Sequence, residues 1–269
     1  MVVLRQRPLI RRTGELLNHT GIPSDPLRKP LALLHTSDLH IGSDTYPEKA
    51  IQAFNAVLDA AHETPVDAVL IAGDLFDAFR VPWNDVDYVI RSLAALACPV
   101  VILPGNHDTI LTSPASSFPF RGLPANIHLL QAPNGEMVTL PSLGLSVWGK
   151  PVYNHEPSFR PLGGLPPRPS SGWYVAIAHG LVVNDNANLQ RSSPIDTQEL
   201  ALADCDYIAL GHVHRFENVT QVHPPAFYSG SPSDPEKPTV ARVYLHPEKG
   251  VAVEAIHLPN HASGNNRTR

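Results

Sequence analysis

Residues 31–40, LALLHTSDLH, place a short apolar run directly before a group of metal-competent side chains. The length and apolar content of the run are typical of a buried strand. The same arrangement recurs in AVLIAGD at 68–74 and in PVVILPGNHD at 99–108. The sequence therefore predicts a series of buried strands that each end at polar residues.

The segments between these strands have helical periodicity. Pro47 opens a segment with Ile51, Phe54, Leu58 and Ala61 at helical spacing, and residues 86–96 repeat the pattern. A β-α-β-α-β order predicts parallel strands with crossover helices. Further strands are predicted in the second half of the chain, at 137–140, 145–149, 174–180, 207–212, 226–229, 239–245 and 251–258. The predicted fold class is a mixed α/β sandwich in one domain, with the proline-rich segment 160–172 as a loop or hinge.

Composition excludes several classes of protein. The chain has 269 residues, 43% hydrophobic and 17% charged, which is typical of a globular protein. We find no signal-peptide core and no apolar run long enough to span a bilayer, so a membrane or secreted protein is not expected. The two cysteines, Cys98 and Cys205, fit a reducing compartment, and we expect a cytoplasmic location.

Charge is distributed unevenly along the chain. The net charge is −5, but residues 1–30 carry six basic and two acidic residues, which leaves −9 for the remainder. An acidic body fits either a solvated surface or a site filled by cations. The basic arm is expected to be a weakly ordered terminus or a segment packed on the surface, and contact with phosphate is the alternative.

The chemistry is expected at the carboxyl ends of the strands, because ligands bind there in open α/β sheets. Five strands deliver oxygen or imidazole ligands to this edge: Asp38, His40, Asp74, Asn106, His179, His212 and His214. Seven ligands are too many for one tetrahedral zinc ion and suit two metal ions that share a bridge. Mixed carboxylate and imidazole ligation suits manganese, iron or zinc. If the backbone stays extended, alternation places Asp38 with His40, and His212 with His214, on one face of a strand.

Five motifs carry a resemblance to a known family. SDLH (37–40), GDLFD (73–77), GNHD (105–108), AHG (178–180) and GHVH (211–214) resemble the ordered motif set of calcineurin-like metallophosphoesterases, from about residue 31 to 258. Together with FYSGSP (227–232), they are similar in detail to the SbcD type of DNA repair exonuclease. The resemblance implies a four-layer α/β/β/α sandwich and a metal-dependent phosphoesterase.

The resemblance also implies a role for each motif residue. Asp38, His40, Asp74 and His214 would hold one divalent metal ion, and Asp74, Asn106, His179 and His212 the other, with Asp74 as the bridge. His107 would lie over the scissile phosphate, where it neutralises charge or protonates the leaving oxygen. Manganese is the first expectation for both ions. DNA and an SbcC-like ATPase are the partners implied.

Domain boundaries and the substrate are less constrained. We expect an N-terminal basic arm at 1–30, a metallophosphoesterase domain at 31–259 and a C-terminal tail at 260–269.

SbcD-type nucleases usually continue into a DNA-contacting cap and an ATPase-binding segment, whereas this sequence stops soon after residue 258. A nuclease without that cap is the leading hypothesis. A phosphodiesterase or phosphatase for a small molecule, such as a cyclic nucleotide or nucleotide-lipid, is the alternative. An inactive binding scaffold is a third hypothesis, but it predicts lost ligands and none is lost.

Several other residues have open roles. Asp77 and Asp108 either orient histidines or cap turns and helices. Five basic residues could line a path for phosphate, with a solvated surface as their default role: Arg80, Arg121, Lys150, Arg191 and Arg215. FYSGSP is either a strand and turn or a place where backbone approaches substrate.

Overall fold

A computed structural model describes residues 25–43, 47–77, 81–109, 122–154, 156, 158–184 and 193–260. Its helices and strands run in the following order: β1 (Leu31–Thr36), α1 (Pro47–Glu63), β2 (Ala68–Ala72), α2 (Trp83–Ala94), β3 (Val100–Leu103), β4 (Ile127–Leu129), β5 (Glu136–Leu140), β6 (Leu145–Gly149), β7 (Trp173–His179), β8 (Leu181–Val183), β9 (Pro194–Asp196), α3 (Thr197–Leu202), β10 (Tyr207–Gly211), β11 (Phe216–Asn218), β12 (Ala226–Ser229), β13 (Thr239–His246) and β14 (Gly250–His257).

The first sheet has six strands in the order β14-β13-β1-β2-β3-β4. β1, β2, β3 and β4 pair in parallel, with Leu33 opposite Ala68 and Val69 opposite Val100. β13 is antiparallel to both β1 and β14. The predicted parallel β-α-β-α-β unit is therefore confirmed, and its strands reach the same edge of the sheet.

The second sheet also has six strands, in the order β11-β12-β10-β7-β6-β5. β12, β10, β7 and β6 are parallel, and the edge strands β11 and β5 pair antiparallel with their neighbours. β8 and β9 form a separate two-stranded parallel sheet.

The two large sheets pack face to face. Leu33, Leu70 and Val101 of the first sheet share one buried cluster with Val175 and Ala209 of the second. α1 and α2 cover the opposite face of the first sheet and bury a second cluster there. Because the central strands are buried on both faces, they read in the sequence as continuous apolar runs rather than as an alternation.

The outer face of the second sheet is covered more thinly. Tyr174 and Ile208 pack there with Leu162, Ile195 of β9 and Leu200 of α3. Along the described segments this last layer consists of the six-residue α3, the β8–β9 pair and the predicted loop 160–172. The α/β/β/α sandwich is confirmed, with a last layer that is less helical than expected.

Residues on the buried face of α1 and at the start of α3 explain why these two segments are helical. α1 carries Ala53, Phe54 and Val57 on its buried face, and burial of each large side chain contributes about 1.5–3 kcal/mol. α3 begins with a capping box, in which the Asp196 carboxylate accepts from the backbone N–H of Gln198 and the Glu199 side chain accepts from the N–H of Asp196. None of the helices in the described segments is long and apolar enough to cross a membrane.

Residues 25–30 pack against the second sheet. The Arg28 guanidinium lies 4.5 Å from the centroid of the Trp173 ring and donates to both carboxylate oxygens of Asp206, at 3.0 and 3.1 Å. Trp173 Nε1 donates to the Lys29 carbonyl at 2.7 Å. Residues 1–24 and 261–269 lie outside the described residues, so the predictions for the basic arm and the tail stay predictions.

Candidate metal centre

The predicted site residues converge where the carboxyl ends of both sheets meet. Asp38, His40, Asp74, Asn106 and His107 follow β1, β2 and β3 of the first sheet; His179, His212 and His214 lie at the ends of β7 and β10 of the second. All but His179 line one cavity of about 620 Å³, and His179 is fully buried behind it. The site therefore spans the junction between the sheets.

One group of ligand atoms gathers around His40. Its Nε2 lies 3.4 Å from His214 Nε2 and 4.0 Å from both Asp38 Oδ1 and Asp74 Oδ2. His214 Nε2 lies 3.7 Å from Asp38 Oδ1. These four side chains are the set expected to hold one metal ion.

A second group gathers around His179. Its Nε2 lies 3.2 Å from Asp74 Oδ2 and 2.9 Å from Asn106 Oδ1, and His212 Nδ1 lies 3.2 Å from the same Asn106 oxygen. Asp74 Oδ2 thus faces an imidazole of each group.

The backbone of the ligand loops is not extended, so the prediction from strand alternation is wrong. Asp38, His40, Asp74 and His212 have φ of 55°, 52°, 52° and 97°. Such left-handed conformations cost about 1–3 kcal/mol each and persist only where surrounding contacts hold them. The loops hold one another, since the Asp38 N–H donates to the Gly73 carbonyl and the His40 N–H to the Asp74 carbonyl, both at 3.0 Å. The side chains converge through these tight turns.

Two glycines make the close approach of the sheets possible. A Cβ on Gly73, whose φ is +93°, would overlap the His179 ring, and a Cβ on Gly211 would overlap the Ala72 carbonyl oxygen. That carbonyl oxygen lies 2.9 Å from His179 Nδ1. The contact orients the ring, so that Nε2 points at Asp74 and Asn106.

The serines of FYSGSP and the residues after it hold the first ligand loop. Ser231 Oγ donates to the Asp38 carbonyl at 2.6 Å, and Ser233 Oγ donates to the Leu39 carbonyl at 2.8 Å. Ser37 Oγ lies 2.9 Å from Ser229 Oγ. This segment is therefore both a strand end and a brace for the loop. Sequence inspection did not identify this brace, because the serines lie almost 200 residues from their partners.

Asp77 contacts two site histidines at once. Its Oδ1 lies 3.0 Å from His40 Nδ1 and 3.1 Å from His107 Nδ1, and its carbonyl oxygen lies 3.1 Å from His107 Nδ1. A proton on each Nδ1 satisfies these contacts and leaves each Nε2 for the cavity. Of the two roles considered for Asp77, the geometry favours orientation of histidines.

Asp108 braces the backbone instead. Its fully buried carboxylate accepts from the N–H groups of Gly105, Leu75 and Phe76, at 2.7, 3.0 and 3.3 Å. Burial and the nearby Asp74 charge raise the pKa of Asp108 to about 7, against the lowering effect of the N–H donors. Asp108 thereby ties the loop after β3 to the loop after β2.

His107 lies at the mouth of the site. Its side chain is 43% exposed, and its ring is edge-on to the His40 ring with 4.6 Å between centroids. Its backbone N–H donates to Asp74 Oδ1 at 2.9 Å. An exposed imidazole anchored to a buried carboxylate in this way can meet a substrate that enters the cavity.

Three of the ligands, His40, His212 and Asp74, are held in the protonation states that bind metal ions, whereas a bound ion would have to displace a proton from His179. Burial is the main cause that lowers the pKa of His40, and burial with the His179 charge lowers the pKa of His212 to about 4. His179 and Asp74 form a buried pair, and burial alone would disfavour the charged form of each. Their mutual attraction outweighs this effect, raises the pKa of His179 to about 10 and lowers the pKa of Asp74. Neutral imidazoles and ionised carboxylates are the forms that bind metal ions.

The donor set fits two divalent ions. The carboxylate side chains of Asp38 and Asp74 are only 1% and 2% exposed and face imidazole nitrogens. Buried carboxylates need a paired charge or a coordinated metal. The described residues contain three groups of ligand atoms within 4.8 Å of one another, Asp38-His40-His214, His40-Asp74-His107 and Asp38-Asp74-His179.

The basic residues considered for a phosphate path do not enter the cavity where the structure describes them. Lys150 Nζ donates to the Gly163 carbonyl at 3.3 Å, and exposed Arg215 pairs with Glu217 at 2.7 Å. Arg80, Arg121 and Arg191 lie outside the described residues. Lys49, in the first turn of α1, does line the cavity. Its segment carries no motif that marks it as a residue of the site.

Fold, site and sequence define one class. Residues 31–216 match the family model described as calcineurin-like phosphoesterase, and the chain belongs to that family. The predicted class, a metal-dependent phosphoesterase that uses divalent metal ions, is thereby confirmed.

Individual relatives indicate which members of this family the chain is similar to. The chain is 27% identical to the SbcD component of the SbcCD nuclease of Bacillus subtilis over 244 residues, which cover 75% of this chain and 61% of that protein. It is 36% identical to the DNA double-strand break repair protein Mre11 of Aeropyrum pernix over 85 residues, or 29% of this chain and 21% of that one. The predicted SbcD-type resemblance is confirmed, although the match spans less than two thirds of either relative.

A solved structure supports the fold. The crystal structure of TT1561 from Thermus thermophilus superposes with a TM-score of 0.55 and 11% sequence identity, over 85% of this chain and 99% of that one. At this identity the similarity concerns the fold alone.

Proposed function

We propose that the chain is a dinuclear-metal-dependent phosphodiester hydrolase and that its substrate is DNA, as in an SbcD-like nuclease. The position of Asp74 carries the dinuclear part of this proposal. Its Oδ2 lies 4.0 Å from His40 Nε2 and 3.2 Å from His179 Nε2, in reach of one imidazole of each ligand group. A carboxylate between two imidazole groups is suited to bridging two ions.

The proposed ligand sets are those expected from the motifs. Asp38, His40, Asp74 and His214 would hold one ion; Asp74, Asn106, His179 and His212 would hold the other. Manganese is proposed for both positions, because the ligands combine carboxylate and amide oxygens with imidazoles and include no thiolate. When bound, the two ions lower the pKa of water and neutralise charge on the phosphoryl oxygens.

The chain's own residues supply the remaining chemistry. His107 would donate a hydrogen bond or a proton to an oxygen of the phosphodiester from the mouth of the cavity. Asp77 would keep the His107 ring in place and stabilise its positive charge. Asp38, Asp74 and His179 are buried, so water would reach the centre only from the cavity side.

The choice of DNA rests on similarity to nucleases. The match to the Bacillus subtilis nuclease component covers 75% of this chain, and the relative from Aeropyrum pernix is a double-strand break repair protein. We further propose a phosphoesterase domain at 31–259, a cytoplasmic location and an SbcC-like ATPase partner. The small-molecule diester hydrolase stays as the second candidate, since the cavity has the size of a site for one small ligand.

The test is a Mn²⁺-supplemented assay on end-labelled duplex and single-stranded DNA. Bis(4-nitrophenyl) phosphate and cyclic nucleotides run beside them, with His107→Ala, Asp74→Ala and the exposed control His62→Ala. We expect DNA cleavage in the wild type and control, loss of most turnover in His107→Ala with metals retained, and loss of metals in Asp74→Ala. Inert DNA with rapid turnover of small diesters would favour the second candidate. Full activity of His107→Ala would overturn its catalytic role, and full metal content in Asp74→Ala would overturn the bridge.

A further inference from the structure

The cavity extends beyond the metal centre to a wall with a different character. Two alanines of α1, Ala50 and Ala53, and four prolines line it: Pro232, Pro235, Pro238 and Pro259. We refer to these six residues as the proline wall. None of them is a predicted metal ligand or catalytic residue, and the proposed hydrolysis gives them no role.

The proline wall is held rigidly. Each proline ring fixes its own φ. The Asp234 carboxylate accepts from the backbone N–H groups of Glu236 and Lys237, at 2.9 and 2.7 Å, and closes the turn between Pro235 and Pro238. Asn260 Nδ2 donates to the Pro235 carbonyl at 2.8 Å and joins Pro259 to this turn. A surface organised before binding loses little entropy when a ligand arrives.

The proline wall begins directly beside the predicted ligands. Ser231 precedes Pro232, and its N–H donates to the His214 carbonyl at 3.0 Å. Its hydroxyl donates to the Asp38 carbonyl at 2.6 Å. A phosphodiester with its phosphorus at the metal centre would therefore extend one of its two ester substituents along this wall.

We propose that the proline wall binds the ring system of a nucleoside esterified to the scissile phosphate. This proposal rests on the proposed phosphodiester hydrolysis and specifies which substituent the site takes. A cavity of about 620 Å³ has room for one nucleotide. The exposed rings of Pro235 and Pro259 offer apolar surface that can bury the faces of such a ring, and Lys49 lines the same cavity.

The wall is unsuited to reading which base is present. Proline has no backbone N–H to donate to a base edge. The carbonyls of Pro235 and Pro238 already accept bonds from Asn260 and from the Leu258 N–H, at 2.8 and 2.9 Å. Binding would depend on the apolar ring faces, so the four bases should be accepted with similar affinity.

The experiment compares two substrates that share a leaving group. Thymidine 5′-(4-nitrophenyl phosphate) carries a nucleoside, and methyl 4-nitrophenyl phosphate carries none. In Mn²⁺-loaded wild type we expect kcat/KM to be about 10-fold higher for the nucleoside ester. In the double variant Pro235→Ala/Pro259→Ala this ratio should fall to about 2–3. Both prolines are exposed at the rim, so the variant should fold, and Pro247→Ala, an exposed proline of the β13–β14 turn, should keep the ratio of the wild type.

A binding measurement distinguishes failure of the proline-wall proposal from failure of the proposed hydrolysis. Calorimetry measures the affinity of thymidine 5′-monophosphate against methyl phosphate in the three proteins. Turnover of both esters at equal rates would overturn the proline wall and leave the phosphoesterase intact. If neither ester turns over, the proposed hydrolysis is wrong. The binding measurement then tests the proline wall alone: tighter binding of the nucleotide than of methyl phosphate would support it, and equal binding would overturn it.

The source of the nucleoside is resolved by competition. A linear oligonucleotide, a circular single strand and free nucleoside monophosphates each compete for the nucleoside ester. Stronger inhibition by linear than by circular DNA would assign the wall to a terminal nucleotide, and inhibition by the monophosphates alone would assign it to small diesters. Inhibition that differs more than about 10-fold among the four bases would overturn recognition through ring faces.

Discussion

Asp77→Asn removes the charge from a carboxylate oxygen that lies within hydrogen-bond distance of both His40 and His107. The two contacts, to Nδ1 of each ring, measure 3.0 and 3.1 Å. Asparagine keeps the size and still offers an oxygen, so each contact changes from charge-assisted to neutral. The side chain is 30% exposed, so solvent partly replaces the lost contacts, and the variant should fold with an unfolding temperature lowered by no more than a few degrees.

The expected loss of kcat/KM in Asp77→Asn follows from the energies of its two contacts to the histidines. A hydrogen bond to a charged group contributes about 1 kcal/mol more than a neutral one. Two contacts give about 2 kcal/mol, or about 30-fold in rate, and partial solvent screening reduces this to a range of about 10- to 30-fold. We expect kcat/KM for bis(4-nitrophenyl) phosphate to fall by that factor, with Asp59→Asn on the exposed face of α1 as the matched control.

A double variant locates the effect. If Asp77 acts through both rings, Asp77→Asn in a His107→Ala background should cost only about 3- to 5-fold, because the contact to His40 alone is left to lose. Metal content is measured in each protein by atomic absorption. A kcat/KM within twofold of the wild type, or an equal loss in both backgrounds, would refute the positioning role of Asp77.

Three further predictions concern how the site and its surroundings are held. Ser231→Ala removes the hydroxyl that donates to the Asp38 carbonyl and should lower the free energy of unfolding by about 1–3 kcal/mol, measured by urea denaturation. Gly211→Ala adds a methyl group where the two sheets touch; we expect a loss of about 1–3 kcal/mol in the same assay, together with weaker Mn²⁺ binding. Arg28→Ala removes the cation stacked on Trp173 and should cost about 1–2 kcal/mol in urea without changing Mn²⁺ affinity.

Matched controls accompany these variants. Ser142→Ala and Arg91→Ala lie on the exposed surface and should unfold within about 0.5 kcal/mol of the wild type. Equal stability of Ser231→Ala and Ser142→Ala would contradict the bracing role of that serine. Unchanged Mn²⁺ affinity in Gly211→Ala would contradict the coupling between sheet packing and the site. Equal stability of Arg28→Ala and Arg91→Ala would show that the packing of residues 25–30 does not stabilise the fold.

The sequence predicts the elements and the place of the site well, for a local reason. β1 at Leu31–Thr36 and β12 at Ala226–Ser229 have the predicted bounds, because each is an apolar run closed by polar residues. The parallel order of β1, β2 and β3 follows from the helices between them. Once those strands share an edge, the residues after them must approach one another.

The geometry inside the site depends on contacts that no local pattern contains. The left-handed φ of Asp38 and His212 is held by partners from distant loops, so strand alternation gave the wrong reason for a convergence that does occur. Ser231 and Lys49 reach the site through tertiary packing: FYSGSP contains Ser231 but does not show which backbone its hydroxyl contacts, and the segment of Lys49 carries no motif. β8 and β9, of three residues each, are too short for a periodicity to show.

The division of the ligands between the two sheets has a thermodynamic consequence. Five site residues belong to the first sheet and three to the second, so an ion bound by Asp74 and His179 would cross-link the two halves of the core. Unfolding must then release the ions, and each ion at a free concentration of one hundred times its Kd adds about 2.7 kcal/mol to stability. If the ions bind as proposed, the concentration of free metal would therefore influence the stability of the folded protein as well as its activity.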